Sequence, residues 1–259
     1  MNGYRSKIHY ILSLWLGFVL CACSDISPEG PLIDTVTFQT RDHVEISATV
    51  SVPETGQSNY PAVIFIHQGG SDKSEWTSTE LYKNVVSSGI VAMAYDVRGH
   101  GLSGGKRGRA LFDDPNRAPL DLQAALKYLS TFETVDLNRI AVVGSSIGAN
   151  LACVAVGSPD YNVKTAVAIS GKTSAVFNLA GGAENVSKLS SVFLLASELE
   201  QGGKRAQWAM ELHELAATPK RLEIVKSSKA HGVHVFKDCL LYTSPSPRDA
   251  TLSRMPSSA

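Results

Sequence analysis

The stretch AVVGSSIGAN, Ala141–Asn150, sets two adjacent serines between two glycines. Just upstream, Arg139–Val143 (RIAVV) is a short run rich in β-branched residues, the mark of a strand buried on both faces. Downstream, Ile147–Val156 (IGANLACVAV) is apolar and free of proline, and it is long enough to read as a helix. Gly144-x-Ser146-x-Gly148 therefore falls on a strand-to-helix turn. In such a turn a side chain at either glycine would strike the adjacent strand or helix, and the middle serine is lifted clear of the sheet. Ser146 fills that middle position. Ser145 has no glycine two residues before or after it.

The surroundings repeat the same alternation. DTVTFQTRDHVEISATVSVP predicts two strands, Val36–Thr40 and Val44–Val52, around a turn at Arg41–His43. Pro61–His67 (PAVIFIH) and Ile90–Asp96 (IVAMAYD) read as buried strands. Glu80–Gly89 reads as a helix closed by its glycine, and Ala118–Thr131 as an amphipathic helix. Beyond the serine turn, strands are expected at 163–170, 191–197 and 220–226, with a helix over 205–217. Two antiparallel strands followed by alternating strands and helices specify an α/β domain with a mostly parallel twisted sheet and helices on both faces. No internal repeat and no second domain are visible.

The ends differ from the middle. Arg5 and Lys7 precede a mostly apolar run, Ile8–Leu20, which is short for a membrane span of about 20 residues. LCAC, Leu20–Cys23, resembles a bacterial lipobox. Residues 1–22 are thus expected to be a lipoprotein signal peptide, Cys23 the acylated residue, and 23–34 a tether. That implies a lipid-anchored place at the membrane of a bacterial cell envelope. At the other end, Cys239–Ala259 turns abruptly rich in Ser and Pro with no apolar period. Its CLLYTSPSPRD and SRMPSSA segments read in one frame as a translated sequencing adapter, so 239–259 is expected to be non-native.

The 259 residues suit one globular domain, expected over 35–238. The chain has 24 basic and 24 acidic residues. Without Arg5, Lys7, Arg248, Arg254 and Asp249 at the ends, 20 basic and 23 acidic side chains remain, a net charge of −3. A nucleic-acid binder would show a basic excess instead. Cys153 is the one cysteine between 24 and 238, so no disulfide is expected within the domain and Cys153 reads as a core residue.

The strand, serine turn and helix resemble the α/β-hydrolase family, especially its small lidless members of the dienelactone-hydrolase type. The resemblance covers about Val36 to Asp238. It implies a serine nucleophile at Ser146, and a serine hydroxyl needs an oriented base. The family's histidine follows the last strand, where KAHGVH holds His231. Its acid follows the strand before that helix. There FLLASELEQ puts Ser197 where the family has glycine and Glu200 where it has aspartate, with Glu198 as a rival. The resemblance also implies an oxyanion hole in the loop His67-Gln68-Gly69-Gly70. Its backbone donors would be Ile147 and one of Gln68 and Gly69, with Gly69 favoured. Gln68 departs from the family's usual glycine. Asp96, Arg98 and His100 in YDVRGHGLSGG read as structural. A last helix is expected after the histidine loop and is missing from the chain as written.

These residues together imply a serine hydrolase that cleaves an ester through an acyl-enzyme, with no cofactor. The alternatives are a non-catalytic lipoprotein of this fold that binds a ligand or partner, and a peptidase or acyltransferase. Only about 20 residues, Gly171–Ser190, separate two strands, which leaves no room for a large lid and favours short or flexible acyl groups. GHGLSGGKRGR fails the phosphate-loop spacing, and His231 with His234 makes too few ligands for a metal. The partner expected is a small-molecule ester, with no nucleic acid. The oligomeric state is left open by the sequence.

Overall fold

A computed structural model describes residues 32–54, 58–186 and 188–238. The expected signal peptide, Cys23 and the 239–259 segment lie outside the described residues. The elements in chain order are β1 Leu32–Gln39, β2 Glu45–Val52, β3 Tyr60–Ile66, α1 Ser74–Thr77, α2 Glu80–Ser87 and β4 Val91–Tyr95. They continue with α3 Ala110–Asp113, α4 Ala118–Leu129, β5 Val135–Ser145, α5 Ile147–Gly157, β6 Thr165–Ile169 and α6 Thr173–Ala180. The last are β7 Val192–Ser197, α7 Lys204–Leu215 and β8 Lys220–Val225. One eight-stranded sheet runs β1-β2-β4-β3-β5-β6-β7-β8. β1 pairs antiparallel with β2, and β2 with β4; every later pairing is parallel. This is the α/β-hydrolase fold.

Both faces of the central strands are buried, and alternate residues feed two separate cores. Ile64 and Ile66 of β3, Met93 of β4 and Val142 of β5 join one core, with Leu122, Leu151 and Val176 from α4, α5 and α6. Phe65, Ala92, Ala94 and Val143 face the other, against Trp76 and Tyr82 of α1 and α2 and Val235 near the end of the described chain. Phe65 packs its ring 5.3 Å from Trp76 and 5.2 Å from Tyr82. This double burial explains why β3–β5 read as continuous apolar runs rather than alternating ones. Each fully buried Val, Leu or Ile contributes about 1.5–3 kcal/mol. Cys153 is a free, fully buried core thiol in α5, and burial pushes its pKa up to about 12.

Two strand starts differ from the sequence expectation. β1 starts at Leu32, inside the expected tether; Leu32 and Ile33 stay exposed, so backbone pairing with Val52 and Ser51 extends the strand rather than burial. β5 starts at Val135, four residues before RIAVV, because Tyr60 pairs with Val135 and its N–H donates to Thr134 O at 2.7 Å. The polar DLNR run there gave no apolar signal. Between β6 and β7 lie α6 and a 3-10 turn, Ala183–Val186, in the segment expected to be too short for a large lid.

Asp96, Arg98 and His100 all sit buried behind the β4 loop. Asp96 accepts from Lys73 Nζ at 2.7 Å and from the Leu102 N–H at 2.9 Å. Arg98 donates through Nε to Asp121 at 2.7 Å, and through Nη1 to Asp42 at 2.7 Å. That network ties the β1–β2 turn, α1 and α4 to the same loop. Arg98 holds the Asp42 carboxyl well below the usual carboxylate range.

Candidate active site

Strand β5 delivers Ser145 and Ser146 to the carboxyl edge of the sheet, and α5 begins at once with Ile147. Ser146 has φ 52° and ψ −105°, a conformation that costs a non-glycine residue about 1–3 kcal/mol. The turn is fixed on both sides. The Ser146 N–H donates to Ile169 O at 2.8 Å, and Ser146 O accepts from the Asn150 N–H at 3.1 Å. The flanking glycines are demanded by contact. A Cβ at Gly144 would lie 2.1 Å from the Gly148 carbonyl carbon, and one at Gly148 would lie 2.2 Å from Ile66 O. The two serines do different jobs. Ser145 is fully buried and donates its hydroxyl to Glu75 Oε1 at 2.7 Å.

The loop after β3 is held from two directions. The Gln68 N–H donates to Glu75, 3.2 Å from Oε1, so that donor is taken and Gly69 is the next one along the loop. Behind it, the His67 Nε2 accepts from the Val97 N–H at 2.9 Å. A backbone N–H can only donate, so the imidazole proton sits on Nδ1, which donates to Gln68 O at 2.7 Å. Close packing of Gly148 on Ile66 sets the first turn of α5, with its Ile147 N–H, beside this loop. That N–H has no intrahelical acceptor, as at every helix start. The Phe112 ring edge borders the loop: a Cβ at Gly69 would meet it at 3.4 Å.

His67 is fully buried, and burial pulls its pKa down to about 4. An unfolded histidine titrates near 6.5, so the unfolded chain binds the proton first as pH falls. The stability owed to neutral His67 is complete above about pH 6.5 and is lost on acidification toward pH 4. Asp121, pushed up to about 7 by burial, contributes with the opposite sign over an overlapping window. Comparing the protein with its His67→Gln variant cancels Asp121. In urea unfolding, the advantage of the parent over the variant should shrink by about 2 kcal/mol between pH 7.5 and 5. An advantage equal at both pH values would refute a buried neutral imidazole.

His231 lies after β8, and its Nδ1 donates to Glu200 Oε1 at 2.5 Å. Glu200 is 4 % exposed; its Oε2 accepts from Ser170 Oγ at 2.7 Å. Glu198 is elsewhere, at the rim, paired with Lys226 at 2.9 Å and accepting from the Ser227 N–H at 2.9 Å. Of the two glutamates, the structure brings Glu200 and not Glu198 to His231. Gly232, next to His231, abuts the serine turn: a Cβ there would be 2.9 Å from Ser145 Oγ. No hydrogen bond joins Ser146 to His231 among the described residues.

Several side chains around this site went unnoticed in the sequence. Ser170, in a left-handed conformation at the end of β6, serves both Glu200 Oε2 and the Gly232 N–H, the latter at 3.2 Å. Ser197, which stands for the family glycine, donates to Ala230 O at 2.7 Å and so ties β7 to the histidine loop. Glu75 and Arg205 complete the set. The partner of Glu75 is 70 residues away, while Arg205 follows Glu200 closely in the chain and also reaches Ser170 O on another loop; no local motif marks either residue.

Residues 58–221, more than half of the chain, match the family described as serine aminopeptidase, S33. The chain belongs to this family and has the α/β-hydrolase fold. Over 110 residues it is 34 % identical to the uncharacterized protein YcjY of Escherichia coli (strain K12); the match covers 41 % of this chain and 34 % of that protein. The chain thus matches about a third of the length of this curated relative. Among solved structures, it resembles an acetyl xylan esterase from Paenibacillus sp. R4, with a TM-score of 0.66, 18 % identity and 84 % of each chain covered. It also resembles the Pyrococcus furiosus esterase Pf2001, with a TM-score of 0.62, 20 % identity, and 82 % and 88 % of the two chains covered. At these identities the structures speak for the fold.

Proposed function

We propose that the chain hydrolyses carboxylic esters with short or flexible acyl groups, through Ser146, His231 and Glu200. The observation that carries this reading is the buried Glu200 bonded to His231 Nδ1 beside the strained Ser146 turn. With its proton held on Nδ1, the imidazole has a free Nε2 lone pair. Nε2 takes the Ser146 proton as Oγ attacks the ester carbonyl. The oxyanion is held by the Gly69 and Ile147 N–H groups, and such a donor is typically worth about 10²–10³ in kcat. The tetrahedral intermediate expels the alcohol, which takes the proton back from His231. Water, deprotonated by His231, then attacks the acyl-enzyme, releases the acid and restores Ser146.

Phe112 beside Gly69 and the short segment between β6 and β7 support a small acyl group. The acetyl xylan esterase neighbour makes acetyl esters the first class to try. The family's description supports a second reading, removal of an N-terminal residue from a peptide. The lipobox-like LCAC at 20–23, after the apolar run, supports a signal peptide over 1–22 and lipid attachment at Cys23 to a bacterial envelope membrane.

A fluorophosphonate probe tests the chemistry, with the label mapped by mass spectrometry. It is expected on Ser146. Acetyl, butyryl and octanoyl esters, run beside aminoacyl anilides, should show hydrolysis falling with acyl length and little anilide cleavage. Preferred anilide cleavage would favour the peptidase reading. A folded protein that takes no label and cleaves nothing would leave the non-catalytic binding protein.

A further inference from the structure

We infer that Arg205 is a positioning residue for Glu200: it pins the carboxylate that serves His231 and draws charge from the oxygen they share. The inference rests on the catalytic reading above and deepens it. Glutamate carries one more rotatable bond than the aspartate usual in the family, so it needs more support to hold one pose. Here both of its oxygens are engaged. Oε2 accepts from Ser170, while Oε1 takes the His231 Nδ1–H and lies 3.2 Å from Arg205 Nε.

Arg205 is itself anchored. Its Nη1 donates to Ser170 O at 2.7 Å, and its guanidinium carbon lies 5.2 Å from the Trp208 ring centre, on the same helix. Only 12 % of its side chain is exposed. The Nε–H finds no aligned acceptor, so although Nε is close, it acts on Oε1 through charge rather than a formed hydrogen bond. A cation there opposes the positive charge that His231 gains when it takes a proton. Removing it should therefore do two things. It should loosen Glu200, which slows turnover, and it should ease protonation of the imidazole, which moves the acidic limb of the kcat profile to higher pH.

The other ionisable groups on the surrounding elements are Glu75 of α1, Lys172 after β6, Lys204, Glu211, His213 and Glu214 of α7, Lys229, His234, Lys237 and Asp238 in and after the histidine loop, and the Glu198–Lys226 pair at the rim. Lys172 stands over Trp208 and Glu211 accepts from Thr173. All of these are common to the proteins compared, so a moved limb reports Arg205.

The test uses the full chain with Arg205→Met and Arg205→Lys. kcat and KM for a short-chain ester are followed from pH 5 to 9. In parallel, the far-downfield proton resonance of His231 Nδ1 is recorded in a Ser146→Ala background, where no turnover is needed. Arg205→Met is expected to lower kcat about tenfold with KM within about twofold, to raise the acidic limb by about half a pH unit, and to broaden the resonance. Arg205→Lys keeps the charge and should restore the limb, with only part of kcat. Should Arg205→Met fail to fold, Arg205→Gln is read in the same way. An unmoved limb with an unchanged resonance overturns the inference, even if activity falls in step with thermal stability. If the resonance responds as expected while the parent protein hydrolyses no ester, the proposed function fails and the placement of Arg205 stands.

Discussion

Glu200→Gln is expected to lower kcat about 10³–10⁴-fold, and Glu198→Gln to leave it within about twofold. The two residues are only two positions apart, yet the chain treats them in opposite ways. Glu200 is buried, with one oxygen on His231 and the other on Ser170. A glutamine at 200 still fits the space. Its amide, however, offers one acceptor oxygen where the carboxylate offers two, and it carries no charge to stabilise an imidazolium. If the amide NH₂ turns toward His231, the imidazole must shift its proton to Nε2 and loses its capacity as a base toward Ser146. KM should change little, since Glu200 holds the base rather than the substrate. Glu198 spends its carboxylate on Lys226 and the Ser227 N–H, an exposed pair that solvent screens and that contributes little. Steady-state kinetics of both variants on one ester settles the matter. Comparable losses in the two would mean that the loop rearranges in solution, and the assignment of Glu200 would fall.

Why the sequence left these two glutamates as rivals is a matter of backbone. After Leu199 the chain takes three successive left-handed residues, Gln201 at φ 49°, Gly202 at 67° and Gly203 at 88°, before α7 begins. This tight reversal turns Glu200 inward and leaves Glu198 at the surface. Gly202 and Gly203 are visible in the sequence, but the direction they impose is not. The sheet was easier to read. Strands buried on both faces announce themselves as apolar runs, and the serine turn marks itself with glycines whose contacts are unavoidable. His231 follows from chain order once the fold is known. Ser170, Glu75 and Arg205 carried no such mark. Ser170 and Glu75 work through partners brought near by strand order, Arg205 sits close in the chain to Glu200 with nothing to show that the two meet, and a serine closing an apolar strand or an arginine opening a helix is unremarkable in one dimension.

The serine turn also supplies the largest expected effect on stability. Gly148→Ala should abolish cooperative folding or soluble expression. Intrinsic propensity argues the other way, because Gly148 is the second residue of α5 and alanine in a helix gains about 1 kcal/mol over glycine. Contact overrules it. The added Cβ would sit 2.2 Å from Ile66 O and 2.8 Å from Ile66 Cβ, where carbon and oxygen normally approach no closer than about 3.3 Å. Neither partner can yield. Ile66 closes a central strand, bonded between β4 and β5 and fully buried, and α5 is buried along nearly its whole length. Relief requires lifting α5 off β3, which opens the core and carries the Ile147 N–H away from the 67–70 loop. A cost above about 4–5 kcal/mol approaches the whole stability of a typical domain. Gly89→Ala is the matched control. Its φ of +78° is unwelcome to alanine, where the helical backbone of Gly148 is not, but a Cβ at Gly89 meets nothing within 4 Å. The expected cost is about 1 kcal/mol, or about 2–4 °C in Tm. Thermal melts of the two variants separate backbone strain from steric exclusion, and a Gly148→Ala protein melting within a few degrees of its parent would show that α5 does not rest on Ile66.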